Sequence, residues 1–165
     1  MGEAVNPWLH ILAATIWVGP QIFLFVAAVP AVRTIEDAQA RARVMRILTT
    51  RFGYLAWGAM IVLVITGIGN LYEIAPVDVD KINDINYGAI FIVKVALVVA
   101  TIVLTAVHSF VIGPRMLRMQ ESVTDETEIA AMRRLSIAIS AVNALLALGI
   151  LFCSALLNST FALEG

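Results

Sequence analysis

The sequence is poor in most of what reactive sites in soluble proteins are built from. It holds one cysteine, Cys153, two histidines, His10 and His108, and two lysines, Lys81 and Lys94. A single cysteine excludes an internal disulfide and a multi-cysteine metal cluster. Charge is scarce as well: 14% of residues are Asp, Glu, Lys or Arg, and the formal net charge is -1. That balance excludes a nucleic-acid partner held by bulk positive charge. What is abundant is apolar: 61% of the 165 residues, with a mean hydropathy of +0.92. Soluble domains average about 45–50% apolar and about 25% charged residues. A disordered chain is excluded more firmly still. The composition points to an integral membrane protein in contact with the lipid bilayer, with residues 1–165 forming one domain.

A membrane helix needs roughly 20 mostly apolar residues. Four stretches qualify, at about residues 7–32, 52–72, 87–112 and 135–157. The second and fourth contain no charged residue, and the third contains one, Lys94. Pro20 and Pro30 stand in the first, which predicts a bend near Gly19-Pro20. The fold class expected is all-α, an integral membrane four-helix bundle. Between the first two spans, residues 34–51 interleave arginines with Ile35, Val44, Ile47 and Leu48, a pattern for a short amphipathic interfacial helix. Residues 124–128 read as a helix start before the fourth span.

Charge sets the orientation. Arg33, Arg41, Arg43, Arg46 and Arg51 lie in or beside the first connector, and Arg115, Arg118, Arg133 and Arg134 in or beside the third. The second connector has only Lys81 against Glu73, Asp78, Asp80 and Asp84. The positive-inside rule places the arginine-rich connectors in the cytoplasm of a bacterial-type plasma membrane and both termini outside. With no basic region before it, the first apolar run is expected to stay in the membrane rather than be cleaved as a leader.

Polar side chains in membrane helices face the protein interior or a pathway. Here they fall at helical spacing: His10, Ala14, Trp17 and Gln21; Ala59, Thr66, Asn70 and Glu73; Lys94, Thr101, Thr105 and His108; Ser136, Ser140, Asn143, Ala147, Ser154 and Asn158. Close packing accounts for the small and hydroxylated positions. It accounts less well for Lys94 and His10. From a rise of 1.5 Å per residue, His10 lies ~6 Å and Lys94 ~10 Å below the outer surface, whereas His108 lies ~30 Å from it. His10 and His108 therefore do not ligate one metal or one haem iron. His10 shares its layer with Lys94, Asn70, Thr66, Cys153, Ser154 and Asn158.

Imidazole is a common metal and haem ligand. His10 is the foremost candidate, for haem iron or copper, and a hydrogen-bonded interfacial histidine is the competing reading. Lys94 is either a cofactor-binding group, as ligand or propionate partner, or a side chain that snorkels to the interface. Trp17, one heptad below His10, is placed to stack beneath a planar ligand or to pack. His108 is a candidate second site, or a proton acceptor near the cytoplasmic side, or a capped interfacial residue. Cys153 reads as a packing residue, and a Cu(I) site from His10, Cys153 and a methionine finds no methionine in that layer.

The string Trp8-Leu9-His10-Ile11-Leu12-Ala13-Ala14-Thr15-Ile16-Trp17-Val18-Gly19 resembles the first helix of the superfamily that joins CopD-type copper-resistance domains to J-type (HemJ-like) protoporphyrinogen oxidases. Arg51-Phe52-Gly53 with Leu63-Val64-Ile65-Thr66-Gly67 resembles its second helix. Lys94-Val95-Ala96-Leu97-Val98, with His108 and Arg115 downstream, resembles its third. The resemblance implies a small bundle with a b-type haem, and in the J-type branch functional roles for the residues matching His10 and Lys94. That branch continues its first helix with an arginine, where this chain has Gly19-Pro20-Gln21-Ile22.

The expectation is a membrane protein that binds haem b in the outer half of the bundle, through His10, Lys94, Trp17, Asn70 and Thr66, and takes part in electron transfer. The alternatives are a CopD-like copper-handling module and an accessory subunit of a larger membrane complex. The reading leans away from an enzyme; an enzyme here would be a protoporphyrinogen oxidase-like oxidoreductase. Gly67-x-Gly69 and the small-residue faces permit a homodimer.

Overall fold

The structure, a computed structural model, describes residues 4–74, 85–121 and 126–163. Those residues are almost entirely helical, with no strand among them. Four helical segments are long and apolar enough to cross a membrane: Val5–Arg33, Ala38–Asn70, Tyr87–Met116 and Thr127–Ser159. The chain divides into two compact units, Met1–Val79 and Asp80–Gly165, and each is a helical hairpin.

The first hairpin opens with α1 (Val5–Phe23), which passes through a π-turn at Leu24–Ala28 into α2 (Val29–Arg33). The π-turn marks a one-residue slip in the hydrogen-bond ladder, with the Val29 N–H reaching back to the Leu24 carbonyl. It ends at Ala28, two residues before Pro30. Proline brings no N–H to the ladder, so a wide turn there sacrifices less than it would elsewhere. The sequence predicted a bend at Gly19-Pro20 instead. Pro20 stands within α1, and the irregularity belongs to Pro30.

Residues 34–37 then reverse the chain. Asp37 ends the turn by accepting the Gln39 N–H on its carboxylate at 2.9 Å while its carbonyl accepts the Arg41 N–H at 2.9 Å. This is the geometry of a helix N-cap. The Arg41 guanidinium donates to the Ile35 carbonyl across the same turn at 3.0 Å. From the cap runs α3 (Ala38–Ile74), one helix of 37 residues. The separate interfacial helix expected over residues 34–51 does not exist. Alanine, arginine, methionine and leucine over residues 38–48 are strong helix formers, and no proline interrupts them. At 1.5 Å per residue α3 is ~56 Å long, against about 30 Å of bilayer hydrocarbon. Its arginine-bearing first turns extend the span beyond the apolar layer.

The second hairpin repeats this plan. Helix α4 (Ile85–Val107) enters a π-turn at His108–Ile112, continues as α5 (Gly113–Glu121), and is followed by α6 (Glu126–Leu163), 38 residues long. The Gly113 N–H reaches back to the His108 carbonyl, and Pro114 follows, as Pro30 follows Val29. The two π-turns lie 84 positions apart, from 24 to 108 and from 28 to 112. With that offset Trp17 corresponds to Thr101, and both are buried; His10 corresponds to Lys94. Between the long helices the offset is 88, from 66 to 154 and from 70 to 158, which matches Thr66 with Ser154, Asn70 with Asn158, and the buried Ala59 with the buried Ala147. No repeat was legible in the sequence, because equivalent positions keep polarity and size but rarely identity.

Within each unit the two long helices pack along one another, α1 on α3 and α4 on α6. Small side chains let them approach: Ala13, Ala56 and Ala59 are buried in the first unit, and Ala147 in the second. Outward faces carry Ile11, Val26, Ile61 and Ile65 in the first unit and Ile92, Phe110, Leu145 and Phe152 in the second, all exposed. Apolar side chains pointing outward are what helices solvated by lipid present.

Candidate functional site

The polar residues of the first hairpin converge where the start of α1 meets the end of α3. His10, three residues past the Pro7 of the first turn, lies opposite Thr66, and their Nδ1 and Oγ1 atoms are 2.8 Å apart. The Thr66 hydroxyl has one proton, and it points back to the Val62 carbonyl at 2.7 Å, the usual bond of a threonine inside a helix. The hydroxyl oxygen therefore accepts from the His10 Nδ1–H. In that arrangement the imidazole is the Nδ1-protonated tautomer, with the ring lone pair on Nε2. Thr66 is 4% exposed, so little water competes for the bond.

One turn before His10, the Asn6 amide donates to the Asn70 side-chain oxygen at 2.7 Å and to the Thr66 carbonyl at 3.2 Å. Asn6 was not among the residues singled out from sequence. Its signal was its spacing, four residues before His10 on one helical face, mirrored by Asn70 four residues after Thr66. The two glycines of Gly67-x-Gly69 make room for this layer. A Cβ on Gly69 would lie 2.8 Å from the Asn6 amide nitrogen, too close to coexist, and one on Gly67 would lie 3.5 Å from the His10 ring. Both glycines thus face α1 of their own hairpin.

Trp17, expected beneath a planar ligand, is buried at 5% exposure. Further along α1 the buried Gln21 donates its amide to the Trp17 carbonyl at 3.2 Å, close to where Pro20 deprives the ladder of an N–H.

In the second hairpin, Lys94 is half-buried and within electrostatic reach of the buried Cys153 on α6. Ser154 beside it donates to the Ile150 carbonyl at 2.9 Å, as Thr66 does to Val62. Deeper along α4, Thr105 donates to the Asn143 side-chain oxygen at 3.5 Å. Thr101 Oγ1 and His108 Nδ1 are buried and have no hydrogen-bond partner among the described residues. The structure thus joins His10, Thr66 and Asn70 in one layer of the first hairpin, and Lys94 and Cys153 in the second. Among the described residues, no three His, Cys, Asp or Glu side chains come together as a metal cage. His108, a candidate second metal site from sequence, opens the π-turn of the second hairpin, three residues beyond Thr105.

Comparison with known proteins adds a family to this geometry. No curated protein and no solved structure matches the chain. A family model described as copper resistance protein D, CopD, matches residues 46–157, which takes in most of α3, all of α4 and α5, and most of α6, and leaves His10 outside the matched segment. The match covers well over half of the sequence, and the chain belongs to the CopD family.

Proposed function

We propose that this protein handles copper at the membrane, with the ion as cargo and the His10 Nε2 as a ligand that meets it at the end of the first hairpin. The observation that carries this reading is the His10–Thr66 hydrogen bond. Metal-binding histidines almost always donate their second ring nitrogen to a fixed acceptor, which sets the tautomer and raises the basicity of the ligating nitrogen. Imidazole is an accepted copper ligand. The membership of the family points to the same metal. By the positive-inside rule the arginine-rich turns are cytoplasmic, and His10 lies toward the outer side, where copper would arrive.

Haem b would use the same nitrogen, and this layer suits it less. A porphyrin needs a broad apolar slot beside its ligand. Here the flanks of His10 are occupied by the Asn6–Asn70 and Asn6–Thr66 bonds and by the Gly67 face of α3. A bare ion needs only the lone pair and a partner or two.

The test is copper binding and cellular copper accumulation in wild type and His10→Ala, with a dithionite-reduced absorption spectrum of the same purified protein. Copper bound by wild type and lost in His10→Ala, with no haem bands, supports the proposal. Reduced haem bands lost in His10→Ala replace copper with haem at the same residue. Neither copper nor haem in wild type leaves an accessory subunit as the reading.

A further inference from the structure

The second hairpin contains a line of polar groups that its own architecture does not require. Thr101, Thr105 and His108 lie on one face of α4 and its π-turn, spaced by four and three residues, with Asn143 of α6 reached by the Thr105 hydroxyl. Thr101 is 1% exposed and its hydroxyl is unpartnered among the described residues, as is the buried Nδ1 of His108. Burying a polar atom without a partner costs its desolvation, so such groups are rare and call for a reason. Packing is the ordinary reason, and here the molecule supplies its own control. In the first hairpin the same order of elements, π-turn included, carries Trp17 where the second has Thr101, and Leu24 where it has His108. The plan is therefore built equally well with apolar side chains at both positions. The π-turn opens at His108 itself, and such turns are frequent at functional positions.

We propose that this face of the second hairpin is a proton path, with His108 as the group that takes up the proton and the Thr105 and Thr101 hydroxyls as its relay. A proton arriving at one ring nitrogen of His108 makes the imidazolium, and loss of a proton from the other nitrogen restores the neutral ring. Each hydroxyl accepts one proton on a lone pair and releases its own, so charge moves and nothing accumulates. The Asn143 side-chain oxygen accepts from the Thr105 hydroxyl at 3.5 Å, and in a relay step that hydroxyl turns its one proton away from Asn143 onto the path as it accepts the next. The intervals of four and three residues are ~6 and ~4.5 Å of rise, gaps that one water closes between two polar groups. The elements packed on the His108 π-turn are α4, α5 and α6. Among the residues whose side chains are described, their charged groups are the half-buried Lys94, four turns away, and at the near end the exposed Arg115, Arg118, Arg133 and Arg134, with the exposed Glu128 beyond; Glu121 and Glu126 belong to the same helices in sequence. This inference stands independently of copper.

The experiment uses the full chain in phosphatidylcholine vesicles with a trapped pH-sensitive dye and a valinomycin-clamped potassium gradient. Wild type is expected to move protons faster than protein-free vesicles. His108→Leu and Thr101→Val are the informative variants, since the first hairpin accepts leucine at the one position and valine keeps the shape of threonine at the other. His108→Leu is expected to bring the flux down to that of protein-free vesicles, and Thr101→Val to reduce it by about tenfold, the lower edge of what a positioned proton-transfer group contributes. Thermal melts in detergent are expected to stay unchanged or rise for Thr101→Val, which a purely structural hydroxyl would share while leaving the flux intact. Wild-type flux equal to that of protein-free vesicles overturns the proposal. So does wild-type flux in Thr101→Val, which decides the matter alone if His108→Leu does not fold.

Discussion

At the scale of single residues, the copper reading turns on how one hydroxyl spends its proton. Thr66 gives it to the Val62 carbonyl and so can accept from His10. Thr66→Val keeps the shape and removes the acceptor, leaving the His10 Nδ1–H with no fixed partner at that point. Supporting partners of this kind are worth about 10- to 100-fold in metal affinity. Thr66→Val is therefore expected to weaken copper binding by about that factor, and Thr66→Ser to restore it, since serine offers the same oxygen. Competition against a coloured copper chelator measures both. Equal affinity in Thr66→Val and wild type would mean that the hydroxyl does not prepare the ligand. Of this layer, His10, Thr66 and Asn70 were legible in the sequence, because a polar side chain at helical spacing in an apolar run is conspicuous. Asn6 was not, because it stands at the edge of the span, where a polar residue needs no explanation.

At the scale of helices, the approach of α1 to α3 depends on what is missing from Gly69. The Asn6 amide occupies the space that a side chain would fill, 2.8 Å from the Cβ position. Gly69→Ala must displace Asn6 from Thr66 and Asn70, and overpacking of this sort costs about 1–3 kcal/mol. Gly67→Ala meets the His10 ring at an ordinary 3.5 Å and is expected to cost less. Thermal melts in one detergent compare the two; an equal loss would place the tight contact elsewhere. The four spans themselves were plain from hydropathy, which reads a solvent preference and needs no tertiary contact. The helix ends were not. Arginines over residues 41–51 looked like a separate surface helix, yet a charged segment with high helix propensity simply lengthens its neighbour when nothing breaks it. The π-turns also escaped, since the proline that closes each one lies beyond the turn rather than inside it.

At the scale of the whole molecule, the repeated hairpin and the arginines bear on one question, which end of each unit faces the cytoplasm. In both hairpins the arginines gather where the two long helices join: Arg33, Arg41, Arg43 and Arg46 in the first, Arg115, Arg118, Arg133 and Arg134 in the second. A tandem repeat of one hairpin has its two joints on the same side of the bilayer, because each unit enters and leaves the membrane on one face. The charge rule then assigns that side to the cytoplasm, and both repeats vote alike. The prediction is read with single cysteines in a Cys153→Ser background and a membrane-impermeant maleimide. Glu36→Cys, in the first joint, is expected to react only after the cells are permeabilised. Ser159→Cys, near the far end of α6, is expected to react in intact cells; both positions are exposed. The reverse pattern would place His10 on the cytoplasmic side, and the copper it meets would then come from inside the cell. Reaction of both cysteines in intact cells would break the single-sided arrangement that the repeat requires.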